Sequence, residues 1–213
     1  MYELHEFDRS AASYRVRIGL NLKGVDYQSV TISLVKGGGE QHLPEYRSIN
    51  PQGLVPTYSD HDITLSQSTA ILEYLEERFP EPTFLPGDAV RRARARQLAQ
   101  IVTCDIQPLT NLRVLAYLRN VFKADQNALS IWFRHWLLDG LDALELWLTA
   151  ERGASNYCVG DDVSLADICL VPQIYQARRF KLPLDDFPRL CDIEAACMEL
   201  AAFRNAQPPP PPD

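Results

Sequence analysis

The chain has no CxxC pair, and its five cysteines (Cys104, Cys158, Cys169, Cys191 and Cys197) form an odd set. An odd number cannot all pair in disulfides, and a cysteine-built metal site is signalled by paired spacings, so neither is expected. No secretory leader pattern is present, and the thiols are therefore expected to be reduced and mostly buried, in a cytoplasmic protein. The four histidines are scattered with no HExxH-type spacing, so no metal is expected. Positive charge is also short: 21 Lys and Arg stand against 28 Asp and Glu, a net charge of -7. That balance argues against a nucleic-acid partner or an acidic membrane surface. The most apolar stretch, IWFRHWLLDGLDALELWL, is interrupted by Arg134, Asp139, Asp142 and Glu145, which excludes a bilayer span. Internal repeats are lacking.

What remains is an ordinary globular composition, 46% hydrophobic and 23% charged over 213 residues, enough for a substantial core. Residues 2–6 alternate weakly, as a half-exposed strand would. From Ser10 to Lys23 the pattern turns helical, with Tyr14, Ile18 and Leu22 on one face and Gly24 as the stop. DYQSVTISL (26–34) has the β-branched content of a strand. LVPTYS and DITLS flank His61 as a hairpin, and Gln67 to Phe79 is again helical, closed by Pro80. The order β-α-β-α-β-β-α predicts a mixed sheet with helices packed over it.

PEPTFLPGD (80–88) cannot continue a helix and marks the boundary between two domains. Their limits are expected at 1–81 and 88–207, with 82–87 as linker. Beyond the boundary the period is helical. A long helix starts near Asp88, with Pro108 expected to kink or end it. The next helix carries an apolar stripe of Leu129, Trp132, Trp136, Leu137, Leu141, Leu144 and Leu148. VSLADI (163–168) reads as a capping box, with Ser164 as N-cap, Asp167 facing back and Val163 stapled to Ile168. The terminal proline run, 208–213, is expected to be a flexible tail.

The pieces RSAASYRVRIGLNLKGVDY, NPQGLVPTY, SQSTAILEYLEERFP, NLRVLAYL, VSLADICLVPQIYQARRF and FPRL together resemble the zeta class of the glutathione transferases. This is the subgroup of maleylacetoacetate and maleylpyruvate isomerases. The resemblance implies α/β plus all-α architecture: a thioredoxin-like N-terminal domain, then an all-helical glutathione-transferase C-terminal domain. It also implies glutathione as cofactor, a small dicarboxylate substrate and a homodimer.

Read from the residues alone, Ser10 is a good helix N-cap, Val55-Pro56 an edge before a strand, and Ser68 an N-cap for the next helix. The resemblance gives each a second role. Ser10 would donate a hydrogen bond to glutathione's sulfur, with Ser13 as a partner hydroxyl. A cis bond at Val55-Pro56 would offer the Val55 backbone to the cysteinyl unit as an added strand does. Gln67 and Ser68 would hold the γ-glutamyl end, and Gln41 or His42 the glycyl carboxylate. Arg9, Arg113 and Arg179 would meet substrate carboxylates, since guanidinium forks suit them. RRARAR (91–96) reads as a solvated helix face.

The family motif usually runs Ser-Ser-Cys, whereas this chain has Ser10-Ala11-Ala12, so a mechanism needing a protein thiol is not expected. The implied reaction is glutathione-dependent cis–trans isomerisation of maleylacetoacetate or maleylpyruvate, by thiolate addition, bond rotation and elimination. Two alternatives stand beside it: a transferase or dehalogenase acting on small α-halo acids, and a non-catalytic glutathione-fold binding module.

Overall fold

The computed structural model describes residues 1–150 and 155–209. Of the expected flexible tail, residues 210–213 lie outside them. Contacts divide the chain into two units: Met1–Thr83 with the described residues from Glu199 on, and Phe84–Met198.

The first unit is built on a four-stranded mixed sheet of order β2-β1-β3-β4, with helices over it, which is the thioredoxin-like arrangement. Strand β1 (Glu3–Glu6) runs parallel to β2 (Gln28–Thr31) and antiparallel to β3 (Thr57–Ser59), which pairs antiparallel with β4 (Thr64–Ser66). Helix α1 (Ala11–Leu22) follows β1, and Gly24 with φ 65° ends it as the sequence predicts. The short α2 (Pro44–Ile49) and the longer α3 (Ser68–Arg78) complete the expected order.

One face of α1 was expected to be apolar. The helix is instead buried nearly all round, Arg15 and Arg17 included, because α3 and α10 (Ala201–Ala206) both pack on it. A buried guanidinium is tolerable only with polar partners. Arg17 has them: an ion pair with Glu6, Nη2 to the Asp8 carbonyl at 2.8 Å, and Nε to the Ala206 carbonyl at 2.8 Å. Asn21 adds a bond to the Ala202 carbonyl at 3.0 Å. The last helix, read from sequence with the helical domain, therefore makes its contacts on α1.

The second unit is helical. Asp88 caps α4 (Ala89–Gln100), its carboxylate accepting from the Val90 and Arg91 N–H groups. The backbone then widens into a π-helix over Ile101–Ile106, ahead of α5 (Gln107–Thr110). The break expected at Pro108 thus starts before it and ends at Thr110. A proline donates no N–H, so the chain leading into it cannot keep a regular ladder. Helix α6 (Leu112–Val121) begins at the Asn111 cap.

Along α7 (Gln126–Ala150) the buried stripe contains Phe133 in place of the expected Trp132 and Trp136. Both tryptophans are only half-buried, and Trp132 Nε1 donates to the Leu109 carbonyl at 2.8 Å. Glu145, a charge inside this apolar stripe, is buried. Its carboxylate accepts from the backbone of Arg189 at 2.9 Å and Leu190 at 3.0 Å, at the start of α9 (Pro188–Met198). Helix α8 (Leu165–Arg179) opens with the predicted capping box. Asp167 is fully buried and accepts from Ser164 N–H, Ser164 O–H and Cys158 N–H at 2.7 to 2.8 Å. Burial pushes its carboxyl up, against those hydrogen bonds.

Among the described residues no helix is long and apolar enough to cross a membrane, and no cluster of three or more His, Cys, Asp or Glu is placed to hold a metal. RRARAR lies on an exposed face, except that Arg94 stacks over Trp147 at 4.4 Å and Ala95 is buried.

At Gly140 of α7 an added Cβ would overlap the Ile106 side chain of the π-helical segment. Gly140→Ala should therefore destabilise the protein by about 1–3 kcal/mol, as overpacking does. Thermal unfolding measures the loss. Adding Ile106→Ala should make the Gly140→Ala change nearly neutral; an equal loss in both backgrounds would refute the contact.

Candidate active site

The register of the sheet brings four chain segments to one end. His5 and Ser66 both pair with Thr57, and Glu6 pairs with Thr31. So the turn from β1 to Ser10, the entry to β3 from Val55-Pro56, the exit of β4 into Gln67-Ser68, and the loop after β2 all leave from the same edge. The loop after β2 carries Gln41 and His42. Gln41 reaches back to the entry loop: a Cβ on Gly53 would lie 2.8 Å from the Gln41 carbonyl.

Ser10 is the N-cap of α1, with extended backbone, and its Oγ accepts from the Ser13 N–H at 3.3 Å. That long bond occupies one lone pair. Among the described residues no acceptor takes the Ser10 O–H, and the side chain is half-buried. Ser13 is placed differently. It is fully buried, and its Oγ accepts from the Phe7 N–H at 3.4 Å, so it braces the turn from within. Arg9 packs over the Phe7 ring at 5.3 Å, with Nε 3.8 Å from the Asp8 carboxylate.

Val55-Pro56 is cis. Val55 is half-buried, and among the described residues no hydrogen bond engages its N–H or C=O. The loop before it is held by two buried side chains that sequence reading did not single out. Asn50 donates to the Leu54 carbonyl at 2.8 Å and to Thr57 Oγ1 at 3.1 Å, and accepts from the Gln52 N–H at 3.0 Å. Tyr46 donates to the Leu54 carbonyl at 2.6 Å and meets Thr57 Oγ1 at 2.9 Å. Burial pushes the Tyr46 phenol up, against its hydrogen bonds to Thr57 and Asn50, so it stays protonated and a donor.

At the start of α3 the cap is Gln67, not Ser68, which is the first helical residue. Gln67 holds φ at 71°, in the left-handed region that few non-glycine residues enter, and gives the helix no side-chain cap. The first-turn N–H groups are thereby left open to an anion. Its amide donates instead to Gln52 Oε1 at 2.9 Å. Ser68 is buried, and its Oγ accepts from Nη1 of the fully buried Arg15 at 3.2 Å. Gln41 and His42 sit in a short 3-10 turn, with Gln41 Nε2 3.1 Å from His42 Nε2. The two form a joined pair, and among the described residues Gln41 Oε1 is buried without a partner.

The remaining two predicted residues belong to the second unit. Arg113 is exposed in the first turn of α6; its N–H joins the Asn111 cap and, among the described residues, its guanidinium has no partner. In QARRF the two arginines divide. Arg178 is paired with Glu194, while Arg179 is exposed, stacks over Phe180 at 5.3 Å and reaches Gln176 Oε1 at 3.4 Å.

The model for "Glutathione S-transferase, N-terminal domain" matches residues 4–83, and that for the C-terminal domain matches 137–201. A maleylpyruvate isomerase from a Ralstonia species is 46% identical over 212 residues, 99% of each chain. The holo structure of a maleylpyruvate isomerase, described as a bacterial glutathione S-transferase in the zeta class, is similar with a TM-score of 0.94. It is 45% identical, with 99% of both chains covered. The chain belongs to the zeta-class glutathione S-transferases. A maleylacetoacetate isomerase from Methylobacterium extorquens, solved with bound malonate and GSH, is 39% identical. It covers 97% of this chain and 96% of that one, with a TM-score of 0.93.

In this zeta-class chain, Asn50 and Gln52 were within reach of sequence reading, since both lie in NPQGLVPTY. Arg15 carried a fainter signal, as a charge inside an otherwise apolar helix.

Replacing Asn50 by Ala removes one of two donors at the Leu54 carbonyl, which keeps Tyr46, and one contact of Thr57 Oγ1, and it takes the acceptor from the Gln52 N–H. A lost buried hydrogen bond costs about 0.5–1.5 kcal/mol net. We expect a loss of roughly 1–3 kcal/mol in urea unfolding, with faster amide exchange over residues 52–57. An unchanged midpoint would show that Asn50 does not hold the loop.

Proposed function

We propose that the protein is a glutathione-dependent cis–trans isomerase of maleylacetoacetate or maleylpyruvate. The observation that carries this reading is Ser10, whose oxygen accepts from the helix and whose proton has no acceptor among the described residues. A free thiol of pKa ~8.5 is mostly protonated at neutral pH. One O–H donor at the positive end of α1 favours the thiolate, which is the nucleophile. Likeness over nearly the full length to proteins named as these isomerases supports the same conclusion.

In this reading glutathione lies along the shared sheet edge. Its cysteinyl backbone takes the open N–H and C=O of Val55, and its γ-glutamyl carboxylate takes Ser68 and the uncapped start of α3, with Gln67 beside it. Its glycyl carboxylate meets the Gln41–His42 pair. The thiolate adds to the cis double bond of the substrate, which is conjugated to a carbonyl, and the electron pair moves onto that carbonyl oxygen as an enolate. The former double bond rotates as a single bond. Collapse of the enolate expels the thiolate and leaves the trans alkene, so glutathione is regenerated. We assign Arg9, Arg113 and Arg179 to the substrate's negative charge. Arg113 has no partner among the described residues, and Arg179 is exposed while its neighbour Arg178 is paired. Such cations act most where charge develops. Ser13 takes the role of brace for the Ser10 turn. A cytoplasmic location, a homodimer and domain limits of 1–81 and 88–207 accompany this reading.

The deciding assay gives purified protein and glutathione each maleyl substrate in turn and follows the fumaryl product. Turnover of at least one, above the rate of free glutathione, is expected. Failure with both, together with turnover of a small α-halo acid, would replace the isomerase by a dehalogenase.

Ser10→Ala should raise the pKa of the bound thiol by about 1–2 units, the value of one hydrogen bond to a charged group. The rate at neutral pH should fall on the order of 10–100-fold and recover in part as pH rises. A pH–rate profile identical to that of the unaltered protein would leave Ser10 as a cap alone.

A further inference from the structure

Arg15 has no role in the site as described so far. Among the described residues it is the largest fully buried side chain, at 1% exposure, and it lies in the middle of the helix that Ser10 caps. Its Nη1 donates to Ser68 Oγ at 3.2 Å, across 53 residues of sequence. The acceptor matters more than the length of the bond. A serine hydroxyl has one proton and two lone pairs. With Arg15 donating into one lone pair, the Ser68 proton must point away from the guanidinium. It then serves as a donor on the side where Gln67, held at φ 71° and bonded to Gln52, leaves the first-turn N–H groups of α3 uncapped.

We propose that Arg15 is a positioning residue that makes the start of α3 selective for a carboxylate. It fixes Ser68 as a donor. A donor hydroxyl beside the uncapped first-turn N–H groups of α3 suits a carboxylate and offers a ligand ammonium no acceptor. The ligand chemistry is therefore an α-carboxylate on a γ-linked amino acid, as in the γ-glutamyl end of glutathione. This rests on the glutathione reading proposed above, and supplies the residue that orients that end.

The test compares two ligands by calorimetry on the full chain: glutathione, and γ-aminobutyryl-cysteinyl-glycine, which is glutathione without its α-carboxylate. The unaltered protein should prefer glutathione by on the order of 10–100-fold, the range of one or two charge-assisted hydrogen bonds. Arg15→Met should lose most of that preference, weakening glutathione while leaving the analogue about unchanged. In a Ser68→Ala background, Arg15→Met should have little further effect on glutathione. Arg15→Lys, which keeps an N–H donor that can reach Ser68, should retain part of the preference.

Equal weakening of both ligands by Arg15→Met, or the same factor with and without Ser68, would make Arg15 a packing residue and overturn the proposal. Should Arg15→Met fail to fold, guanidinium NMR on the unaltered protein decides. The Arg15 signal should shift on adding glutathione and not on adding the analogue, and identical responses overturn the proposal. No binding of glutathione by the unaltered protein is a separate result, since it removes the glutathione reading itself.

Discussion

The buried ion pair between Arg17 and Glu6 is the constraint on which the first unit depends. One guanidinium joins the end of β1, the Asp8 carbonyl just before Arg9 and Ser10, and the Ala206 carbonyl at the end of the last helix. Glu6 is held from its other side by Ser29 of β2, 2.7 Å away. Removing one partner of such a pair leaves an uncompensated buried charge, at a cost of about 3–5 kcal/mol. That network ties the turn leading to Ser10 to β1, β2 and the last helix. Preorganised donors are what a developing or bound anion needs.

Much of that site is backbone. In the proposed reading Val55 would offer main-chain groups, α3 the N–H groups of its first turn, and α1 its dipole to the thiol beside Ser10. The side chains beneath them, Asn50, Tyr46, Arg15 and Gln52, mostly shape that backbone. In the proposed reading this arrangement would let the chain do without the second serine and the cysteine of the usual motif. Ala11 is buried at the head of the helix and Ala12 half-buried, so neither position needs a reactive group to keep the Ser10 turn in shape.

The sequence made the order of elements in the first unit legible because each one carries its own period and its own stop, such as Gly24 or Pro80. The capping box at Ser164 and Asp167 was legible for the same reason, since all its parts lie within a few residues. What escaped was long-range. Nothing local says that Glu145 will hold the start of α9, or that the helix 201–206 will pack on α1. A mean apolar period also cannot tell Phe133 from its tryptophan neighbours; Trp132 stays at the half-buried edge, where its N–H donates to the Leu109 carbonyl. The cap of α3 was misplaced by one residue, because Gln67 enters a left-handed backbone that no side-chain preference announces.

The bond from Arg17 to the Ala206 carbonyl has a consequence for how the protein is made. The unit that opens the chain is completed by a helix near its other end. During synthesis the first 83 residues emerge and must wait, with an arginine bound for their interior still lacking one acceptor, until the whole helical unit has been translated. Vectorial folding can shape the sheet early, but the environment of Arg17 closes only when the final helix leaves the ribosome.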